Sequence, residues 1–409
     1  MLYRLSVSGY LAHLVGGGVR DLVLGREPKD FDIATDAHPE DVRRLFRNCR
    51  LIGRRFRLAH VMFGREIIEV ATFRALQEPG GDNGEQHVDE EGRIVRDNVY
   101  GSIEDDALRR DFTVNALYYN IADFSIIDYA RGMQDIETGT LRILGDPDTR
   151  YREDPVRMLR AVRFATKLGF RLEAETERPI RSLSALLGDI PPARLFDEML
   201  KLFMGGSALA NFEMLRHYDL FQRLFPLTEQ SLTHEENAFP LTLISHGMAN
   251  TDSRVAAGKP VTPAFLFAVF LWQPVRERAA ELEAAGQSKA QALQHAGSQI
   301  IAEQAAVMAT PRRFSLPMRD IWMLQLRLER KGGRRSLRVL SHPRFRAAYD
   351  FLLLRGEAGE VPLELCEWWT EFQELHPDKR EKEVTKTRPR KRRRRRRPQG
   401  RAEAGGKQT

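Results

Sequence analysis

Residues 16–21 read Gly-Gly-Gly-Val-Arg-Asp, and a second motif, Asp30-Phe31-Asp32, begins nine residues after them. Residues 11–15 predict a short strand that enters the glycines, and residues 19–24 predict a helix that follows them. Glycine lets backbone N–H groups come close to a phosphate, and the positive end of the following helix adds to the attraction. The first motif therefore predicts a phosphate-binding turn between a strand and a helix.

Asp30 and Asp32 stand two positions apart at the start of a predicted strand over residues 31–35, so their side chains share one face. Magnesium takes oxygen ligands and is commonly held by one or two carboxylates together with substrate phosphates. Arg20 lies one turn into the helix, where it can reach the same phosphates. The two motifs together predict phosphoryl or nucleotidyl transfer with the help of a metal.

The composition is that of a globular protein without disulfides or membrane spans. Of the 409 residues, 42% are hydrophobic, and the length allows two or three domains. The two cysteines, Cys49 and Cys366, make neither a disulfide framework nor a zinc site, which suits a reducing cytosol. The longest apolar run, residues 264–272, is too short to cross a bilayer. We expect a cytoplasmic protein without a signal peptide, whose first helix looks trimmed.

The net charge of +7 is concentrated near the C-terminus. Nine arginines and two lysines fall between residues 386 and 401 with no acidic residue, so the rest of the chain is mildly acidic. Such a segment cannot bury apolar surface and is predicted to be disordered. Its expected partner is a polyphosphate such as RNA, held through its backbone without sequence readout, and a solubilising or targeting tail is the alternative. No protein partner is indicated.

The pattern of elements changes at about residue 140. Before it, predicted strands alternate with helices, including strands at 60–63, 67–73 and 126–129, a helix at 39–47, a mobile loop at 78–96 and one helix over 102–119. After it, strand signals almost vanish, with a buried helix at 264–272 and long helices over 276–309. We predict an α/β head with a small mixed sheet (1–140), a helical neck (141–225), a helical body (226–378) and a disordered basic tail (379–409).

Two further acids are candidates for the site. Glu69 lies in an apolar strand, where an unpartnered carboxylate is costly, so it either joins the metal site or pairs with a cation such as Arg74. Asp111 is predicted on a helix, with Asn115 on the same face. Asp111 can complete the acidic site or act as the base for an attacking hydroxyl, and a salt bridge on the helix surface is the alternative.

A third group of candidates lies in residues 152–164. Asp154 precedes Pro155 and suits a helix N-cap. Arg157, Arg160 and Arg163 recur every third residue and share a stripe, where they repel one another unless an anion lies against them. A triphosphate or the edge of a base would serve, and Asp154 with Arg157 can read a nucleobase. A simple cap and a solvated basic face are the alternatives.

The stretches GGGVRD, KDFDIAT, EVATFR, RRDFTVNAL and EDPVRMLRAVRFATKLGF, in this order over roughly residues 11–170, resemble the class II nucleotidyltransferases of the polymerase β superfamily. That group contains bacterial poly(A) polymerases and CCA-adding enzymes. The resemblance implies a two-magnesium site on Asp30 and Asp32, with Asp111 as a further catalytic carboxylate, ranked above Glu69. It implies that the nucleotide, ATP, is contacted by Gly17, Arg20, Arg110, Asp154, Arg157, Arg160 and Arg163.

Further stretches look like the poly(A) polymerase branch, namely residues 51–63, 78–96, 191–196, 311–317 and the arginine-rich tail. The resemblance then implies template-independent transfer of AMP from ATP to RNA 3′ ends with release of pyrophosphate, as in mRNA polyadenylation that promotes RNA turnover. A CCA-adding tRNA nucleotidyltransferase is the alternative enzyme, since the two activities share one catalytic centre. An RNA-binding adaptor without activity is an alternative of another class, against which the three clustered acids argue.

Overall fold

The computed structural model describes residues 1–53, 57–75, 86–88, 94–97, 99–233 and 239–386. Its strands are β1 Ala12–Val15, β2 Asp32–Thr35, β3 Cys49–Ile52, β4 Leu58–Phe63, β5 Glu66–Thr72, β6 Gln86–Val88, β7 Ile94–Asp97, β8 Leu117–Asn120, β9 Ile126–Asp128, β10 Thr140–Leu141 and β11 Arg171–Leu172.

The helices are α1 Leu2–Val7, α2 Gly17–Val23, α3 Pro39–Leu45, α4 Ile103–Leu108, α5 Gly132–Glu137, α6 Pro147–Glu153, α7 Val156–Leu168, α8 Ala174–Leu183, α9 Pro192–Phe203, α10 Ala208–His217, α11 Phe221–Leu224, α12 Pro226–Thr233, α13 Phe239–Ala256, α14 Pro263–Phe270, α15 Trp272–Ala284, α16 Lys289–Val307, α17 Arg312–Leu328, α18 Arg334–Leu340, α19 Phe345–Glu357, α20 Leu363–Glu374 and α21 Pro377–Lys386. Short 3-10 helices occupy Thr113–Asn115 and Ser184–Asp189.

In the described part of the chain, seven strands form one mixed sheet in the order β3-β4-β5-β2-β1-β8-β9. Strands β2 and β5 are parallel, and the other neighbouring pairs are antiparallel. Asp32 is in register with Glu69 on β5 and with Val15 on β1. The sheet therefore brings the glycine turn, which follows Val15, next to the acidic start of β2.

The glycine turn is as tight as the sequence predicts. Gly16 has a φ of 74°, in the region that favours glycine, and α2 begins at Gly17, two residues earlier than predicted. A Cβ atom on Gly18 would lie 3.3 Å from the carbonyl oxygen of Asp30. The absence of side chains here lets the turn pack directly on the segment that carries the first aspartate.

The prediction of one helix over residues 102–119 is wrong. The capping box at Ser102 does start a helix, but α4 ends at Leu108, and residues 117–120 form β8 between β1 and β9. The segment between them is held by Leu144 N, which donates to Asp111 O at 3.0 Å, and by Thr113 N, which donates to Arg142 O at 3.0 Å. Pairing in the sheet suits the aromatic and apolar side chains of β8 better than helix continuation.

Two smaller differences concern the same half of the chain. Strand β3 was not predicted, and β6 pairs antiparallel with β7 largely within the predicted loop at 78–96. The remainder of that loop lies outside the described residues, as do residues 387–409 of the predicted disordered tail. Residues 379–386 of that tail were predicted to be disordered but belong to helix α21. The predicted strands at 11–15, 31–35, 60–63, 67–73 and 126–129 are present within one or two residues of their expected bounds.

The rest of the described chain is helical, apart from the two-residue pair β10 and β11. One apolar cluster runs from Val19 and Phe112 beneath the sheet through Phe164 on α7 to Phe267 and Trp322. A second cluster is built by the end of α17 together with α18, α19 and α20. Because a single core crosses residue 140, the boundary between head and neck stays a prediction. No described helix is long and apolar enough to span a membrane.

Candidate active site

A cavity of about 450 Å³ lies between the glycine turn and β2 on one side and helices α7, α9 and α10 on the other. Eight of the predicted site residues line it: Gly17, Arg20, Asp30, Asp32, Arg110, Asp111, Arg160 and Arg163. The lining also contains residues that the sequence analysis did not single out, among them Lys29, Phe164, Lys167, Lys201 and Asn211. Distant parts of the sequence thus meet at one polar cavity.

The carboxylate of Asp32 stands among other acids. Glu69 faces it across the parallel pair of β2 and β5, and Asp30 precedes it by two residues. Desolvation of the carboxyl group, Glu69 and Asp30 raise the pKa of Asp32 to about 6, although Arg110 lowers it. Glu69 also lies 3.3 Å from His60 Nε2, so it contacts a neighbouring strand as well as the acidic group. Acids crowded in this way create a place for a cation.

The described residues contain no group of three or more histidine, cysteine, aspartate or glutamate residues arranged to hold a metal by themselves. Asp30 and Asp32 nevertheless fit magnesium, because magnesium is usually held by one or two carboxylates while substrate phosphates and water complete its shell. The raised pKa of Asp32 agrees with this, since a nearby cation would stabilise its charged form.

Asp111 has a different environment from Asp32. Arg160 Nε donates to Asp111 Oδ2 at 2.8 Å, Asn115 Nδ2 donates to Oδ1 at 3.1 Å, and Phe112 N donates to Oδ1 at 2.9 Å. Burial by itself would raise the pKa of Asp111, but Arg160 and these hydrogen bonds lower it to about 2. The ion pair joins a loop to α7 and is not on the surface of a helix, which corrects the expected helical position.

Arg20 is buried beneath the glycine turn, with 2% of its surface exposed. Its Nε and Nη2 donate to Asp21 Oδ1 at 2.9 and 2.6 Å, its Nη1 donates to Asn115, and its guanidinium lies 5.3 Å from the ring centre of Phe164. Lys167, one turn after Arg163 on α7, reaches Asp21 Oδ2 at 3.4 Å. These contacts fix the direction of the cations that line the cavity.

Asp154 and Arg157 do not line the cavity. Arg194 Nη2 donates to Asp154 Oδ2 at 2.6 Å, and Arg157 Nη1 donates to Glu153 Oε2 at 2.8 Å. The prediction of Asp154 as the N-cap of α7 is wrong by one residue: α7 begins at Val156, so Pro155 is the N-cap. Asp154 Oδ1 still accepts from Val156 N at 3.3 Å. Their predicted contact with a nucleobase stays a prediction.

One cavity residue that the sequence analysis did not single out, Lys167, could have been found from its spacing in the sequence. Lys167 stands four residues after Arg163, so it continues the stripe of basic side chains that begins at Arg157. No such spacing indicates Lys201 and Asn211. They reach the cavity from α9 and α10, and their positions in the sequence have no regular relation to the motifs. Only the packing of these helices shows that they belong to it.

Three segments of the chain match families of known proteins. Residues 12–142 match the family described as "Poly A polymerase head domain", and residues 169–232 match "Probable RNA and SrmB- binding site of polymerase A". Residues 285–401 match "Polymerase A arginine-rich C-terminus". The chain is 50% identical over 384 residues to "Poly(A) polymerase I" of Salmonella typhi, which covers 93% of this chain and 83% of that protein.

A second relative, "Poly(A) polymerase I" of Escherichia coli O157:H7, is 51% identical over 381 residues, or 92% of this chain and 82% of that protein. A "CCA-adding enzyme" of Bacillus pumilus is 37% identical over 245 residues, or 60% of this chain and 58% of that protein. Among solved structures, "tRNA-processing enzyme (apo form 2)" superposes with a TM-score of 0.60 at 20% identity, covering 93% of this chain and 97% of that chain. That likeness concerns the fold alone.

A mixed-sheet head followed by helices, with an acidic and basic cavity between them and these sequence matches, defines a nucleotidyltransferase. The predicted fold class and enzyme class are confirmed. The chain belongs to the bacterial poly(A) polymerase I family, and CCA-adding enzymes are more distant relatives. The branch that the sequence favoured is therefore confirmed as well.

Proposed function

We propose that this chain adds AMP from ATP to the 3′-hydroxyl of RNA without a template and releases pyrophosphate. The observation that carries the proposal is that the glycine turn, the carboxylates of Asp30 and Asp32 and the guanidinium groups of Arg20 and Arg110 line one cavity. Backbone amides and arginines are donors for the phosphates of a nucleotide, and paired carboxylates are ligands for magnesium. The cavity thus has a place for each part of a nucleotidyl transfer.

In this proposal Asp30 and Asp32 hold magnesium. When bound, two magnesium ions supply activation of the attacking 3′-oxygen and neutralisation of the charge on the triphosphate. Glu69 supports Asp32, because it stands in register beside it and contributes to its raised pKa. Asp111 acts through Arg160, because their ion pair fixes the direction of that guanidinium along the cavity wall. The geometry thus favours Glu69 above Asp111 as the third acid, the reverse of the expected ranking.

The nucleotide is held from both sides of the cavity. Gly17 and Arg20 approach its phosphates from the head, while Arg160 and Arg163 approach from α7. Arg163 lines the cavity, and its buried Nε has no hydrogen-bond partner among the described residues. Asp154 and Arg157 are assigned to the base.

RNA is held by phosphate contacts outside the cavity. A set of exposed cations runs from the last turn of α17 through α18 to Arg344. We call this set the α17–α18 basic surface, and its members are Arg327, Arg330, Lys331, Arg334, Arg335, Arg338 and Arg344. None of them forms an ion pair with another described residue. Helix α18 packs against α21, which leads into the arginine-rich segment. The α17–α18 basic surface and the arginine-rich segment can both attract the backbone of one RNA strand without reading its sequence.

The proposal includes the division into a head (1–140), neck (141–225), body (226–378) and tail (379–409), and a cytoplasmic location.

The experiment that tests the activity offers a labelled oligo(A) primer and a tRNA without its CCA end, with magnesium and each nucleoside triphosphate in turn. We expect long extensions of the oligo(A) primer with ATP. Addition of only a few C and A residues, restricted to the tRNA, would contradict the proposal and favour CCA addition.

A further inference from the structure

Behind the glycine turn, Arg110 belongs to a small network whose other two members, Asp106 and Tyr118, have no role in the function proposed above. Asp106 on α4 and Tyr118 on β8 are 7% and 0% exposed. The Tyr118 hydroxyl donates to Asp106 Oδ2 at 2.6 Å and accepts from Arg110 Nε at 2.9 Å. Arg110 Nη2 also donates to Asp106 Oδ2, at 2.9 Å. The three polar groups therefore satisfy one another, with the carboxylate and the hydroxyl buried and the guanidinium partly exposed.

The network uses two of the three nitrogen atoms of the Arg110 guanidinium. The third, Nη1, forms no hydrogen bond with any described residue. A Cβ atom on Gly16 would lie 3.4 Å from this nitrogen, so Nη1 stands directly beside the glycine turn. Arg110 is also one of the residues that line the cavity. Its remaining donors thus point to where the turn can accept a phosphate.

The position of Arg110 in the chain explains why it needs this support. Because α4 ends at Leu108, Arg110 lies in a loop, and a long side chain on a loop has many rotamers of similar energy. The ring of Tyr118 lies 5.2 Å from the guanidinium carbon and limits its movement from one side. The Asp106 carboxylate holds it from another side, through a charge-assisted hydrogen bond.

We propose that Tyr118 and Asp106 are positioning residues that hold Arg110 with Nη1 directed at the phosphates of the bound nucleotide. The inference rests on the proposed function, in which the cavity holds a nucleoside triphosphate. The hydroxyl of Tyr118 serves both the carboxylate and the guanidinium, so its loss loosens Arg110 without adding or removing a charge. The ligand that it affects is the polyphosphate part of the nucleotide, not the RNA strand.

The test is the Tyr118→Phe variant of the full chain, with Tyr119→Phe as its matched control. Tyr119 is the next residue on β8, on the opposite face of the strand, and its hydroxyl has no hydrogen bond among the described residues. We expect about tenfold weaker binding of ATP and of inorganic tripolyphosphate by Tyr118→Phe, the scale of one hydrogen bond to a charged group. We expect no change in RNA affinity, and Tyr119→Phe should bind all three ligands as the parent does.

A double variant separates positioning from a purely structural role. In an Arg110→Ala background, Tyr118→Phe should cause no further loss of tripolyphosphate affinity, and Asp106→Asn should behave in the same way. Equal losses for tripolyphosphate and RNA, an undiminished effect in the Arg110→Ala background, or unchanged ATP affinity would each overturn the inference. Tripolyphosphate binding is measured without any transfer of AMP. If the parent fails to extend RNA, the proposed function fails separately from this result.

Discussion

The arginines around the cavity and those on the α17–α18 basic surface differ in their partners. In the cavity, Arg20 is fixed by Asp21, Arg110 by Asp106 and Arg160 by Asp111. On the α17–α18 basic surface, the seven cations are exposed and form no ion pair with another described residue. A guanidinium paired with a carboxylate has a fixed direction, but the pair carries little net charge that acts at a distance. An unpaired exposed guanidinium keeps its full charge but has no fixed direction.

This difference corresponds to two tasks. A reaction centre must hold phosphates in one geometry, and pre-arranged donors do this because they lose little entropy when the ligand binds. A surface that attracts a polyanion of any sequence needs charge rather than direction, and it depends strongly on salt. The same residue type therefore has two uses in one chain, and each prediction below tests one side of this contrast.

The largest effect is expected from the acidic group of the cavity. Asp32→Asn keeps the shape of the side chain but removes a charged metal ligand, so AMP transfer should fall by at least about a thousandfold. RNA affinity should stay unchanged, because the α17–α18 basic surface is far along the chain and unaltered. Primer extension and filter binding measure the two quantities. Transfer at the parental rate would contradict the assignment of Asp32.

The second prediction concerns the ion pair between Asp111 and Arg160 in the cavity wall. Asp111→Asn leaves Arg160 without its partner, which should lower the free energy of unfolding at neutral pH by about 3 kcal/mol. The pKa of Asp111 is lowered to about 2 in the folded protein, so its charged form stabilises the fold above its ordinary pKa of about 4. The difference between parent and variant should therefore disappear as the pH falls from about 4 to about 2.

Chemical denaturation at several pH values measures this difference, and Asp148→Asn is the matched control. Asp148 also accepts a hydrogen bond from an arginine, Arg152 Nε, at 2.7 Å, but both side chains are exposed. Its loss should change stability by less than about 1 kcal/mol. If Asp111→Asn is as mild as this control, the ion pair of Asp111 with Arg160 does not hold the cavity wall.

The contrast also explains what the sequence could predict of this site. The pattern of residues 31–35 predicted a strand, and β2 is present with Asp32 at its start, because an alternating apolar pattern is a local property. Asp30 lies two residues before this strand. The loop position of Asp111 could not be predicted. The capping box at Ser102 is a true local signal, but β8 is formed by pairing with β1, whose residues lie about a hundred positions earlier.

The acidic partners of the cavity arginines could not be predicted from the sequence for a similar reason. Asp21 and Asp106 are close in sequence to Arg20 and Arg110, yet nothing in the pattern distinguishes such neighbours from surface pairs. Asp111 lies 49 residues before Arg160, and only the packing of α7 against the sheet brings them together. The α17–α18 basic surface was overlooked because the charge of the tail dominated the count, and the rest of the chain is acidic on average.

The third prediction concerns the unpaired cations. The triple variant Arg334→Ala, Arg335→Ala and Arg338→Ala should weaken RNA binding by about tenfold at low salt. The slope of log affinity against log salt concentration should become shallower by about 2, since each lost phosphate contact on a single strand accounts for about 0.7. Catalysis at saturating RNA and ATP should be unchanged, because none of the three lines the cavity.

A matched control for the triple variant replaces three exposed arginines that do have acidic partners. Arg44, Arg152 and Arg178 pair with Asp41, Asp148 and Glu175, and their replacement by alanine removes the same formal charge. We expect a smaller change in the salt slope than for the α17–α18 variant. Equal slopes for the two triple variants would mean that net charge alone matters and that the α17–α18 basic surface has no special part in holding RNA.

The smallest effect is expected at Asp154, where pairing and ligand recognition compete. Arg194 occupies Asp154 Oδ2, while Val156 N occupies Oδ1, so a base that used this carboxylate would share it with Arg194. Arg194→Ala frees one oxygen and should change the preference for ATP over CTP by about threefold, the scale of a partly exposed hydrogen bond. Single-nucleotide addition with each triphosphate measures it. An unchanged preference, with Asp154→Asn also silent, would leave Asp154 as a helix-start residue and would place base recognition among the residues that line the cavity.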